Sequence, residues 1–214
     1  MSNTHASATT ALSGTRPAHA GRERPEASGR RRRLLAHPSW RHLAGAIAVV
    51  FALAAAGVLV GQSTTGSLPS DLLGGTHTVD VEWTYAEILA RNLGAALLAF
   101  GGVLTAGVVT AVTVPLIGVW VGATSRISID GAGWDTVLSS TVSYAPLEFL
   151  GVAIAAAAGL LPLIHAMTPP GSARQEGFMR RYISALPSAI TVLIVAVGII
   201  VVAAGIEYLV ISLH

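Results

Sequence analysis

The sequence predicts an all-α fold, a polytopic membrane helical bundle of about five transmembrane helices with a cytoplasmic N-terminus. Three observations predict it. Only 11% of the 214 residues are charged, against about 25% in soluble domains. Apolar residues make up 52% of the chain and the mean hydropathy is +0.65. Long segments carry no charge at all, which a soluble bundle with polar outer faces does not allow.

Residues 1–42 come first. They are rich in Ala, Ser, Thr, Pro and Arg, hold eight of the thirteen arginines, and lack apolar periodicity. Such a segment buries too little surface to offset its ordering entropy, so it is expected to be a disordered cytoplasmic tail. The run "GRRRRLLAHPSWRH" abuts "LAGAIAVVFALAAAGVLV". The latter can cross a bilayer, giving a first span over about 43–61. Arginines before it keep the N-terminus inside. No A-x-A-like cleavage site follows, so the run is a retained anchor and not an export signal. Beside a span, the basic cluster suits anionic lipid, and no nucleic acid is expected as a partner.

Residues 62–86 contain Asp71, Asp80 and Glu82 and no arginine, as an outer loop would. No charge then occurs from Asn92 to Ser125. One helix of that length would measure about 51 Å, against a hydrocarbon core of about 30 Å. The stretch must fold back, as two spans over about 87–105 and 107–125 or as a span with a re-entrant segment. Gly101, Gly102, Thr105, Gly107 and Thr110 mark the reversal, which falls before Pro115. "RISIDGAGWD" reads as an outer loop. A fourth span covers about 141–164, an Arg-containing inner segment 165–182, and a fifth span about 187–210. The domain of spans is thus 43–212. Trp40 and Tyr182 fall at inner ends, and Trp83, Tyr85, Trp120, Trp134, Tyr144 and Tyr208 near outer ends, where such side chains favour the interface.

Polar residues inside the spans are the candidates for function. Glu87, Arg91 and Asn92 open the second span, Glu148 lies about two turns into the fourth, and Glu207 lies near the end of the fifth. All stand at a similar depth in the outer half. Charges there are costly and usually face protein or water, with a partner. Glu87 and Arg91 are spaced to pair on one helix face. Arg91 near Glu148 and Glu207, with Asn92 supplying amide bonds, is the economical arrangement. One arginine cannot neutralise three carboxylates. A polar clamp setting helix register, a site acting on a ligand or partner, and snorkelling of Glu87 and Glu207 to the interface all fit. Small residues recur four apart at Gly151, Ala155 and Gly159 on the fourth span, and at Gly102 and Ala106 on the second. Such faces allow close helix packing.

Several chemistries find no support. The chain has no cysteine, no phosphate-cradling glycine loop, no HExxH and no G-x-S-x-G. Its seven histidines are scattered, with His42 and His165 bordering spans. No catalytic residue, metal or cofactor is expected.

Four blocks, "ILARNLGAALLAFGGVLTAG", "PLIGVWVGA", "YAPLEFLGVAIAAAAGL" and "AAGIEYLVIS", resemble those of the stage II sporulation protein M family. Asn92 matches the second of a paired asparagine, Gly118 and Gly122 a glycine block that joins the packing candidates, and Glu148 and Glu207 two block carboxylates. Arg91 stands in place of the first asparagine, Ile117 in place of the asparagine of Asn-Gly, and Ser143, Tyr144 and Ala145 in place of Pro-His-Gly. The resemblance implies a bacterial cytoplasmic (inner) membrane protein with an envelope role and no known catalysis. It suggests a non-enzymatic scaffold or accessory subunit. The alternative is a transport or permease-like component working with an ABC-type ATPase in export or in bacteriocin maturation and immunity. Expected partners are the lipid bilayer and other membrane proteins, namely envelope-remodelling proteins or an ATPase subunit. Self-association is left open.

Overall fold

The computed structural model describes residues 40–66, 84–168 and 177–213. The expected tail before Trp40 and most of the first outer loop lie outside the described residues. Helix α1 runs Trp40–Gly66, α2 Tyr85–Phe100, α3 Val108–Ala132, α4 Trp134–Thr141, α5 Ala145–Met167 and α6 Phe178–Ser212. A 3-10 turn, Gly101–Val103, extends α2. No strand occurs among the described residues. Five helices are long and apolar enough to cross a membrane: α1, α2 with its extension, α3, α5 and α6. The protein is a multi-pass membrane protein.

The contacts give each helix its direction. Gly57 lies against Pro115 and Gly118, and Gly61 against Val119 and Ala123. The numbers rise together, so α1 and α3 run parallel. Ala158 and Leu161 pack with Ala189 and Val192, while Gly151 meets Ile200, so α5 and α6 run antiparallel. Asn92 meets Glu148 and Ala99 meets Gly159, so α2 runs with α5. The five long helices therefore alternate in direction along the chain, as successive membrane crossings must.

The uncharged stretch folds as a two-armed hairpin. Its reversal is built at residues 101–107. Ala106 (φ 48°) and Gly107 (φ 89°) adopt left-handed backbone, and the Gly107 N–H donates to the Gly102 carbonyl at 2.7 Å. This closes α2 in the manner of a Schellman motif. The Tyr182 hydroxyl on α6 donates to the Val103 carbonyl at 2.8 Å, satisfying a group freed by the turn. Gly102 and Ala106 therefore do not form one helix face. Gly102 is buried against Thr110, whereas Ala106 is exposed in the turn.

Several expected boundaries are corrected. The first span runs on to Gly66, past residue 61, and the fourth crossing begins at Ala145 and not near 141, which puts Glu148 in its first turn and not two turns in. Residues 126–132, read as loop, continue α3, stabilised by an Arg126–Asp130 ion pair at 2.8 Å on one helix face. Helix α6 begins at Phe178, nine residues before its expected span, and carries Arg180, Arg181 and Pro187 within it. A charge ends a hydrophobic run without ending the helix, because the backbone bonds that hold the helix do not depend on side-chain polarity.

The core is built of small side chains. Ala46, Ala96, Ala99, Ala155, Ala156, Ala157, Ala158, Ala189, Ala196, Ala203 and Ala204 are fully buried. Large apolar side chains such as Leu98, Leu116, Ile194 and Leu209 point outward. This inversion suits lipid. Burying Leu gains little where the solvent is itself apolar, so helices associate by close backbone approach.

Candidate functional site

The polar residues gather where α2 and α5 begin and α6 ends. Asn92 donates from Nδ2 to Oε1 of Glu148. The Glu207 carboxyl of α6 stands beside Glu148. A cavity of about 30 Å³ lies among Ile88, Arg91, Asn92 and Glu207. That is the room of a single water molecule. Three helices thus each contribute one polar side chain to a half-buried cluster.

Aromatic side chains frame it. The Arg91 guanidinium lies 5.8 Å from the Trp120 ring centroid, a cation–π contact that joins α2 to α3. Tyr85 and Tyr208 meet edge to face at 6.2 Å, joining α2 to α6. Tyr144, just before α5, is half-buried. Burial pushes its phenol above the usual tyrosine range.

Glu87 is not part of the cluster, and its expected pairing with Arg91 is not formed. Its Oε2 accepts from the Thr84 N–H at 2.9 Å and from the Thr84 hydroxyl at 2.8 Å, while its own N–H donates back to that hydroxyl. This is a capping box, which closes the first turn of α2. Thr84 three residues before Glu87 is the sequence signal for it.

The packing residues fall in three places. Gly118 and Gly122 face α1, where a Cβ on either would strike the backbone of Ala54 or Val58. Gly151 faces Ile200 and Ala196 of α6. Ala155 sits between Ala96 and Ala196. Gly159 meets the Ala99 and Phe100 carbonyls and Thr110. Sequence reasoning missed the other half of the first seam, Gly57 and Gly61, although "GVLVG" is a Gly-x-x-x-Gly pattern in an apolar helix. It also missed Thr110 as a buried donor, whose hydroxyl reaches the Ala99 carbonyl at 2.5 Å.

A family model for stage II sporulation protein M matches residues 43–210. The chain belongs to the stage II sporulation protein M family. No curated protein and no solved structure matches it. In this member of the stage II sporulation protein M family, three blocks distant in sequence meet at one end of the bundle, through Asn92, Glu148 and Glu207. The glycine block with Gly118 and Gly122 lies elsewhere, in the seam with α1.

Proposed function

We propose that this chain is a non-enzymatic scaffold or accessory subunit of a bacterial envelope complex, held in the cytoplasmic membrane with its N-terminus inside. The observation that carries the proposal is the closure of the embedded polar groups on one another. Asn92 of α2 bonds Glu148 of α5, Glu207 of α6 stands beside them, and the small cavity among Ile88, Arg91, Asn92 and Glu207 has room for about one water. Such a clamp sets helix register and stiffens the bundle, as a platform for partners requires. The charges support the orientation. Among the described residues, Arg41, Arg180 and Arg181 lie at one end with no carboxylate, while Glu87, Asp130, Asp135, Glu148 and Glu207 lie at the other with Arg91 and Arg126. The arginine-rich end is the inner one by the positive-inside rule.

The test is affinity capture of the full chain from detergent-solubilised membranes of its own host, followed by reconstitution. An envelope-remodelling protein that co-purifies in fixed ratio, with vesicles that move no solute, is the expected result. Solute uptake by the chain alone, or by a complex with an ATPase whose turnover depends on it, would replace the scaffold with transport.

A further inference from the structure

We propose that His42 and His165 form a binding site for a borderline divalent transition-metal ion, Zn²⁺ being the representative, at the end of the bundle opposite the polar cluster. His42 lies on the first turn of α1 and His165 on the last turn of α5. Their Nδ1 atoms stand 3.3 Å apart. The rings meet edge-on, at 85° with centroids 4.9 Å apart. Two imidazole nitrogens bound at 2.0–2.1 Å to a tetrahedral zinc ion are separated by about 3.3–3.4 Å. The two nitrogens already stand at ligand spacing. Without an ion the same spacing suits an N–H···N hydrogen bond between the two rings, so a bound ion would displace the proton held between them.

The other nitrogen of His42 strengthens the assignment. Nε2 lies 3.1 Å from the Thr168 carbonyl oxygen. A carbonyl only accepts, so Nε2 carries the proton and Nδ1 presents its lone pair toward His165. Metal-bound histidines hold their second ring N–H on a backbone carbonyl in this way, which sets both tautomer and ring orientation. Among the described residues no third metal-ligating side chain joins the pair. Water or a group from a partner would complete the shell. An ion there would tie the start of α1 to the end of α5. Arg181 of α6 already holds that end, donating from Nε to the Ala166 carbonyl at 3.1 Å.

The experiment uses the full chain in detergent, purified through a histidine-free tag and titrated with ZnCl₂ by calorimetry, with thermal unfolding followed in parallel. Saturable binding of one ion per chain and a rise in Tm are expected, with no response to MgCl₂. His42→Ala and His165→Ala should each weaken binding about tenfold or more, while His77→Ala leaves it unchanged. His165→Gln, which keeps size and polarity, provides the same comparison if an alanine variant folds poorly. A copper EPR spectrum of the unsubstituted protein should show coupling to two imidazole nitrogens. Absence of zinc binding, or binding of equal strength in the His42 and His165 variants, would overturn the proposal.

Discussion

The seam between α1 and α3 and the cluster between α2, α5 and α6 hold helices together by opposite means. The seam is made of what is absent. Gly57, Gly61, Gly118 and Gly122 bring two backbones into contact, and a single added methyl would meet a carbonyl or a Cα. The cluster is made of side-chain chemistry, in which the Asn92 amide bonds the Glu148 carboxyl across two helices and Glu207 of a third stands beside them, all half-buried. The seam should therefore respond to volume and ignore polarity. The cluster should respond to lost hydrogen bonds and tolerate changes that keep shape.

The largest effect is expected at the seam. Gly118→Leu places a Cβ 2.5 Å from the Ala54 carbonyl oxygen and 3.1 Å from the Gly57 Cα and the Val58 nitrogen, which cannot move aside as a side chain would. Overpacking usually costs about 1–3 kcal/mol, and backbone obstruction puts this variant at the upper end or beyond. Folded yield and Tm in detergent measure it. Gly198→Leu, on a face with nothing within 4 Å, is the control and should behave as the parent. Equal behaviour of the two variants would dissolve the seam as a structural element.

At the cluster, Glu148→Ala leaves the Asn92 amide without its partner, at a cost of about 1–3 kcal/mol. Glu148→Gln should be milder, because its amide still accepts from Asn92 and can donate to Glu207. Denaturant titration of the two variants decides the matter. If Gln is as damaging as Ala, the cluster works through charge and the contrast with the seam must be redrawn.

Thr110 lies between the two regions. Thr110→Val preserves volume and removes only the hydroxyl that bonds the Ala99 carbonyl, so about 1 kcal/mol is expected. A loss of several kcal/mol would show that the hydroxyl couples the hairpin to Gly159 of α5. The smallest effect belongs to the exposed cap. Thr84→Ala opens the capping box at a cost of at most about 1 kcal/mol. It should speed amide hydrogen exchange in the first turn of α2 while leaving α1 and α3 unchanged.

Much of this protein was determined by sequence alone, for a simple reason. A bilayer demands internally bonded backbone and apolar surfaces, so composition and charge spacing already imply helices, their number and their alternation. The 34 uncharged residues from Asn92 to Ser125 required a fold-back because they exceed the membrane's thickness. The polar residues at one depth, Asn92, Glu148 and Glu207, were legible for the same reason, since lipid offers them no partner. Only the tertiary structure decided who meets whom. Glu87 and Arg91 had the spacing of a pair, yet Glu87 closes on Thr84 because local capping satisfies backbone donors that lipid cannot. Gly102 and Ala106 had the spacing of a packing face, yet a left-handed turn separates them. Gly57 and Gly61 were indistinguishable from many other small residues until Gly118 and Gly122 came up against them. His42 and His165, 123 positions apart, came together only when α1 packed antiparallel to α5. Spacing along one helix is written in the sequence. Contacts between helices depend on the rotation and depth of each, which the packing of the whole bundle sets.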